Sequence, residues 1–321
     1  MNDSTTFSES DELNTNEASK KKELMPKMEP TTGPLIEEVE AKAQQTEPIA
    51  VKKVDSDLMD KPQGPYLAVA KRCDLGAVRE RNEDSCMIFS SEAGGHFTML
   101  PFGLYIVADG MGGHADGHIA SRIASRVAAR YILEQIYLPM LHSSTQVDQA
   151  PIQEVLNNAV QLANTAVFEN DPEIDSGTTL TIALILGRRL HVAHVGDSRL
   201  YLHSADRFEA VTNDHSLVQR LQDVGQLTAE EATMYRYRNV LLKAVGQGEE
   251  VEADNYMKLL PKKGKLLLCS DGLCGFVSDD IICEVLDQDL PLQETANVLY
   301  DTAMAAGGYD NITAVVVEFV L

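Results

Sequence analysis

Four short apolar runs follow one another between residues 178 and 212, with gaps no longer than a turn between them. The runs are TTLTIALIL, RLHVAHVGD, SRLYLHS and RFEAVT, and each has the length and residue types of a β-strand. Longer runs with helical spacing of their apolar residues lie on either side, at 118–137, 151–169, 278–288 and 291–306. Because strands come in groups and helices in pairs, this order predicts an α+β fold with sheets between helical layers, rather than regular βαβ alternation.

The charge balance narrows the classes of partner. The 321 residues hold 27 Lys and Arg against 49 Asp and Glu, a net charge of −22. A field of this sign repels nucleic acid and anionic membrane surfaces, and it suits metal cations. No apolar run approaches the ~18 residues of a membrane span, and the N-terminus MNDSTTFSES lacks the basic and apolar regions of a secretory signal. We therefore expect a cytoplasmic protein whose partners are neither nucleic acid nor membrane.

Residues 1–64 differ in composition from the remainder of the chain. They contain one aromatic residue, Phe7, and 8 Lys and Arg against 14 Asp and Glu, a net charge of −6. Such a segment buries too little apolar area to offset the entropy of ordering it, so we expect a disordered acidic N-terminal tail. The tail would serve either as a solvated spacer or as a docking or regulatory segment. Residues 66–321 carry the regular patterns and are expected to form the catalytic domain.

The five cysteines, at positions 73, 86, 269, 274 and 283, show no CxxC spacing of a zinc or redox site. Their number is odd, and two of them border apolar runs. These features are typical of free structural thiols in a reducing compartment.

Carboxylates recur beside the apolar runs. Asp109 directly ends one run and Asp271 follows another, Asp310 immediately precedes the last run, and Glu83 and Asp84 stand together. Carboxylates that converge at strand ends repel one another, and divalent cations relieve that repulsion. The scattered histidines offer no zinc spacing, so the ligands would all be oxygens, which Mg²⁺ and Mn²⁺ prefer.

Eight blocks occur in order along the chain: GAVRERNED, VADGMGGH, SGTTL, HVGDSRLYL, DHSLVQRLQDVGQLT, RNVLLKAVG, LLLCSDGL and YDNITAVVV. In this order they resemble the metal-dependent protein phosphatases of the type 2C (PPM) family, in their bacterial form, over about residues 66–321. The resemblance implies a central antiparallel β-sandwich flanked by helical layers, in agreement with the α+β pattern. It also implies hydrolysis of phosphoserine and phosphothreonine in proteins that are substrates of a serine/threonine kinase.

The resemblance further implies a centre of two Mg²⁺ or Mn²⁺ ions. Asp109 would bridge the two ions, and the Gly110 carbonyl would be a further ligand. Asp271 and Asp310 would hold the first ion, and Glu83 would hold the second. The glycines that follow Asp109 would let the backbone approach the ions and leave room for a phosphoryl group. A water that bridges both ions would attack the phosphorus in line.

Other roles follow from the same resemblance. Asp84 would position metal-bound water, and Arg79 would bind the substrate phosphate by charge-assisted hydrogen bonds. The leaving alkoxide needs a proton. Eukaryotic members of the family have a histidine directly after the Asp-Gly pair, and Met111 occupies that position here. His114 is therefore a candidate general acid, with a metal-bound water as the alternative donor.

A third metal ion in the family uses an aspartate just upstream of the SGTTL block, where Asp171 and Asp175 both qualify. The family's flap, a segment beside the active site, corresponds to residues 213–240 and is a candidate for substrate selection. Next to it, Leu242 and Lys243 replace the common Thr-Arg pair.

Two blocks are interpreted as structural support. The residues Gly196, Asp197 and Ser198 are expected to form a turn between strands that acts as scaffold. Asp214 is expected to cap the helix that follows it, with His215 as a structural partner.

These features support an active phosphatase, and the alternative is a catalytically weak regulator that holds phosphoproteins in a phosphatase-like fold. A third hypothesis keeps the chemistry and narrows the substrate to one partner protein. The acidic tail and the flap would then be docking surfaces.

Overall fold

The computed structural model of the protein describes residues 64–92, 100–112, 116–141, 151–170, 176–228, 231–232 and 235–321. Three predicted site residues, His114, Asp171 and Asp175, lie outside these ranges, as do residues 1–63 of the predicted tail. Their assignments stay predictions.

The strands are β1 Tyr66–Asp74, β2 Asp84–Ser91, β3 Phe102–Gly112, β4 Ser176–Thr178, β5 Leu180–Leu186, β6 Arg189–Val195, β7 Arg199–Ser204, β8 Arg207–Ala210, β9 Asp254–Leu259, β10 Lys263–Cys269 and β11 Ile312–Val320. The helices are α1 Gly117–Ile132, α2 Ile152–Phe168, α3 Leu217–Asp223, α4 Asp271–Cys274, α5 Asp279–Asp287 and α6 Leu292–Ala305. A π-helical turn, Leu133–Tyr137, and a last helical turn, Leu138–Met140, continue α1.

Two antiparallel sheets organise the described strands. One sheet has the order β1-β11-β10-β7-β8, and the other has the order β2-β3-β5-β6-β9, with β4 paired to the end of β3. Neighbouring strands run antiparallel in both sheets. The predicted α+β class and antiparallel sandwich are therefore confirmed.

The alternation of side chains along β3 explains how the layers stack. Tyr105 and Val107 are fully buried and pack between the sheets against residues of β10 and β11. Leu104 and Ile106 point to the opposite face and pack against α1 and α2. A shift of one residue in register would exchange these two sets, so the burial of both faces fixes the register.

The outer faces of the sandwich are covered by helices on both sides. Small residues of α1, such as Ala124 and Ala128, are fully buried and let the helix lie close to β3. On the other side, Leu299 of α6 and Ile282 of α5 pack against the outer face of β10 and β11. Among the described residues, every helix is too short or too polar to cross a bilayer.

The structure differs from the sequence-based elements in several places. Strand β2 was not predicted as a strand. The predicted helix over residues 118–137 leaves α geometry after Ile132 and continues as a π turn. Strand β9 was not predicted, because its buried side is polar and aromatic rather than aliphatic. Asp214 does not cap α3: Ser216 is the N-cap, and its side chain accepts a hydrogen bond from the Gln219 amide at 3.2 Å.

Candidate metal centre

Two neighbouring strands bring the first pair of carboxylates together. Asp84 begins β2 and Asp109 lies near the end of β3, and the two residues are direct partners in the antiparallel register. Side chains at such positions are neighbours on the sheet, and like charges there destabilise it. The Asp109 backbone is held by two threonines of the SGTTL block. Its amide donates to Thr179 Oγ1 at 2.8 Å, and its carbonyl accepts from Thr178 Oγ1 at 2.9 Å.

The other sheet supplies the second pair. Asp271 follows β10 and begins the short helix α4, and Asp310 stands two residues before β11, the neighbour of β10. Ser270, which directly precedes Asp271, donates from its Oγ to Asp84 Oδ2 at 2.7 Å, so the ends of the two sheets meet at this point. The predicted clustering of these aspartates is therefore what the structure shows.

Asp84 is the most enclosed of these carboxylates. Its Oδ2 accepts hydrogen bonds from Ser270 Oγ at 2.7 Å and from Thr313 Oγ1 at 2.6 Å. Its Oδ1 is buried and has no hydrogen-bond partner among the described residues. Burial raises the pKa of Asp84 to about 7, although both hydroxyl donors lower it. A buried carboxylate oxygen without a partner calls for a cation or a polar ligand.

Burial and mutual repulsion raise the pKa of the other acids. The pKa of Asp109 is raised well above its ordinary value, first by burial and then by the charges of Asp84 and Asp271. Burial and the charge of Asp310 raise the pKa of Asp271 to about 6. Burial also raises the pKa of Glu83. These shifts describe clustered carboxylates whose negative charge exceeds the positive charge near them, which is the electrostatic signature of a site for cations.

The glycines leave the space that a ligand needs. The Gly110 amide donates to the Glu83 carbonyl at 3.1 Å, and a Cβ on Gly110 would clash with the Gly117 carbonyl. A Cβ on Gly117 would lie 2.9 Å from the Gly110 oxygen and 3.1 Å from Cδ of Glu83. Side chains here would fill the region between the Gly110 carbonyl and the Glu83 carboxylate. The donor set and this space therefore fit the divalent ions that the resemblance implies.

Asn311 holds two of the predicted ligands in place. The side-chain Oδ1 of Asn311 accepts a hydrogen bond from the backbone amide of Glu83 at 2.8 Å. The backbone amide of Asn311 donates to Asp310 Oδ1, also at 2.8 Å. Asn311, Ser270 and Thr313 are supporting residues that the sequence analysis did not single out. Their partners in these hydrogen bonds include residues almost the whole domain away in sequence, so no local pattern could have shown their role.

Arg79 lies at the rim of the cluster and is paired with a predicted ligand. Its Nη2 donates to Asp310 Oδ2 at 2.7 Å, and its side chain is 47% exposed. The hydrogen bond to Asp310, followed by the charges of Glu83 and Asp109, raises the pKa of Arg79. A guanidinium has five N–H donors, so donors remain for a phosphate.

A further acid, Asp197, belongs to the same electrostatic cluster. Burial and the charge of Asp271 raise its pKa well above the ordinary value, and its charge in turn raises the pKa of Asp109. The predicted scaffold role accounts for its neighbours: Gly196 has the positive φ of +112° that a tight turn needs, and Ser198 Oγ lies 2.8 Å from Thr179 Oγ1. Asp109 and Asp271 were each identified by a glycine that directly follows them, whereas Asp197 is followed by Ser198.

A cleft of about 640 Å³ opens beside the cluster. Asp271 and Asp197 stand on one side, and flap residues such as Gln219 and Asn239 line the other. Asp214, which was expected to cap a helix, instead receives two hydrogen bonds from Arg199, at 2.9 and 2.7 Å, within this cleft. The flap segment is therefore adjacent to the carboxylates, as the resemblance implied.

The sequence matches the family described as protein phosphatase 2C over residues 79–306. The chain belongs to this family. The match contains the carboxylates of the cluster from Glu83 to Asp271 and ends shortly before Asp310.

Related proteins of the family share about a third of the sequence. The serine/threonine protein phosphatase PstP of Mycobacterium tuberculosis is 37% identical over 259 residues, which are 79% of this chain and 45% of that protein. The serine/threonine phosphatase stp of Listeria innocua is 36% identical over 247 residues, 77% of this chain and 94% of that protein. The chain thus spans about half the length of the mycobacterial relative.

Solved structures agree with the fold. The crystal structure of the Mycobacterium tuberculosis phosphatase PstP superposes with a TM-score of 0.65 at 36% identity, covering 78% of this chain and 98% of that one. The structure of the PstP catalytic domain in complex with two manganese ions superposes with a TM-score of 0.64 at 35% identity. The superposition covers 80% of this chain and 100% of that one.

Proposed function

We propose that this protein is a metal-dependent serine/threonine protein phosphatase. The observation that carries the proposal is the meeting of Asp84, Asp109, Asp271 and Asp310 at one end of the sandwich, with an unpartnered oxygen on the buried Asp84. The relatives named as serine/threonine phosphatases and the manganese complex of one of them support it.

Two Mg²⁺ or Mn²⁺ ions are the cofactors that this centre would take. Asp109 would serve both ions, with the Gly110 carbonyl as a further ligand. Asp271 and Asp310 would hold the first ion, and Glu83 would hold the second. Bound divalent cations supply Lewis acidity, which lowers the pKa of water and neutralises negative charge on a phosphoryl group. A third ion at Asp171 or Asp175 is part of the proposal, although both residues lie outside the described ranges.

The protein's own side chains would orient the reactants. The unpartnered Oδ1 of Asp84 would accept a hydrogen bond from the attacking water, while Ser270 and Thr313 hold the other oxygen. Arg79 would bind the phosphate through the N–H groups that Asp310 does not use. No side chain of the described residues is needed as a covalent nucleophile, which agrees with cysteines that are all free and none of which is fully exposed.

The substrates would be phosphoserine and phosphothreonine side chains in proteins modified by a serine/threonine kinase, in the cytoplasm. The open cleft next to Asp271 suits a side chain presented on a protein segment rather than an enclosed small molecule. Its flap wall would contribute to the choice of substrate. A metal-bound water would supply the proton to the leaving alkoxide, with His114 as the alternative donor.

The experiment is hydrolysis of a phosphothreonine peptide by purified protein in EDTA, then in Mg²⁺, then in Mn²⁺. We expect turnover only with metal, and we expect Asp109→Ala to abolish it while circular dichroism shows an intact fold. Asp206→Asn, an exposed acid in the turn between β7 and β8, is the matched control and should keep full activity. Turnover in EDTA, or near-normal rates for Asp109→Ala, would contradict the metal assignment. Peptide binding without turnover under any metal would favour the phosphoprotein-binding regulator.

A further inference from the structure

Helix α1 carries a row of basic side chains that the proposed chemistry does not use. His118, Arg122, Arg126 and Arg130 follow one another at intervals of four residues, and the three arginines are exposed. Residues four apart are neighbours on a helix surface, so these side chains form one continuous strip. We call Arg122, Arg126 and Arg130 the arginine strip.

The arginine strip begins next to the candidate metal centre. Gly117, the first residue of α1, lies against Gly110, and a Cβ on it would touch the Glu83 side chain. One residue later, Nδ1 of His118 lies 3.4 Å from Nη1 of Arg81, in the same loop as Arg79. From His118 to Arg130 the helix extends about 18 Å. The strip therefore leads away from the position proposed for the substrate phosphate.

The charges of the strip are poorly compensated within the protein. Among the described residues, Arg122 and Arg126 form no ion pair, and Arg130 has only Glu134 at 3.9 Å, with both side chains at least half exposed. Like charges four residues apart destabilise a helix, and cations near a helix N-terminus are unfavourable as well. This concentration of positive charge stands in a chain whose net charge is −22.

An anion from outside the protein would relieve this repulsion. Because the arginine strip begins beside the candidate metal centre, a substrate bound at that centre is the expected source of the anion. We propose that the arginine strip binds acidic residues that flank the phosphorylated residue of the substrate, so that the enzyme prefers phosphoproteins with Asp- and Glu-rich segments. This inference rests on the proposed function. An extended peptide covers about 18 Å with five or six residues, so the acidic residues would lie within about six positions of the phosphothreonine. Arginine suits this partner because its planar guanidinium pairs with carboxylates in a bidentate way.

The test compares two phosphothreonine peptides of equal length, one with three Glu within six residues of the phosphothreonine and one with Gln at those positions. Separate versions place the Glu on the N-terminal and the C-terminal side. At low salt, three exposed charge pairs should raise kcat/KM for one of the two Glu peptides roughly fivefold to tenfold above that for the Gln peptide. The preference should shrink at high ionic strength, because exposed charges are screened.

The key variant replaces Arg122, Arg126 and Arg130 with Gln, and the ratio of the two kcat/KM values should then fall close to one. A matched variant removes the same charge with Arg189→Gln, Lys262→Gln and Lys263→Gln. These side chains are exposed at the opposite end of the sheets, as the strand registers show. The matched variant should keep the wild-type preference.

Binding of a fluorescent acidic peptide in EDTA separates this proposal from the proposed function. If the wild type fails to hydrolyse even the neutral peptide with Mn²⁺, the proposed function fails. Tighter binding of the acidic peptide by the wild type than by the strip variant would still support binding of acidic residues by the arginine strip. Equal kcat/KM for both peptides in the wild type, or an unchanged preference in the strip variant, overturns the inference. Sedimentation with phosphatidylserine vesicles that depends on the strip, together with equal peptide rates, would overturn it in favour of a membrane surface.

Discussion

Asp271→Asn tests the electrostatic interpretation of the centre through stability rather than activity. The carboxyl of Asp271 has its pKa raised from an ordinary 3.8 to about 6, because it is buried and lies near the charge of Asp310. A change of this size corresponds to about 3 kcal/mol between the charged and the neutral form. The metal-free native state therefore bears an unfavourable charge near neutral pH, and an amide at position 271 would remove it.

The sign of the pH dependence follows from linkage. A carboxyl whose native pKa is raised stabilises the folded state when it is protonated, and this contribution is lost as the pH rises through about 6. Asp271→Asn should therefore be more stable than the wild type in EDTA at pH 8, by up to about 3 kcal/mol, with the difference shrinking as the pH falls from about 6 and vanishing below the ordinary pKa of 3.8.

Urea unfolding in EDTA at pH 4, 6 and 8 measures this difference, with Asp206→Asn as the exposed control. The same variant should lose most of the stabilisation that Mn²⁺ gives to the wild type, because a ligand of the first ion is missing. A variant that is less stable than the wild type at pH 8 in EDTA, or that keeps the full response to Mn²⁺, would refute the reasoning.

Three further predictions concern the same centre. Gly110→Ala should lose Mn²⁺-dependent thermal stabilisation, measured by calorimetry, because its Cβ would displace Gly117. Gly248→Ala, whose Cβ would meet only the Glu250 carbonyl at 3.7 Å, is the comparison. Arg79→Ala should raise KM for phosphopeptides by the loss of a charged hydrogen bond, about 1.5–3 kcal/mol, with unchanged kinetics as the contrary result. The affinity for Mn²⁺, measured by calorimetry, should fall as the pH drops from 8 to 5.5, because protons then compete at Asp84 and Asp271, whose pKa values are about 7 and 6. An affinity that does not change over this range would contradict the raised pKa values.

The features predicted from the sequence were those with local patterns. Alternating and helical apolar spacings identified the covering helices and the sandwich strands other than β2 and β9. Asp-Gly pairs at the ends of apolar runs identified Asp109 and Asp271. The capping role of Asp214 was wrong because Asp214 and Ser216 are both good N-cap residues, and only the tertiary pairing of Arg199 with Asp214 decides between them.

The features missed by the sequence analysis depend on contacts between distant segments. Ser270 and Thr313 hold Asp84 across 186 and 229 residues of sequence, and Asn311 joins Glu83 to Asp310. Such hydrogen bonds exist only once both sheets have formed, so the pattern of either segment alone cannot indicate them.

The number of Mn²⁺ ions bound per chain tests the central claim most directly. Equilibrium dialysis of the metal-free protein, followed by elemental analysis, should give at least two ions for the wild type. Asp109→Ala should bind neither ion of the central pair at the same free concentration, because the ligand shared by both is lost. A wild type that binds no Mn²⁺, or an Asp109→Ala variant that binds as many ions as the wild type, would contradict a two-ion centre built on these carboxylates.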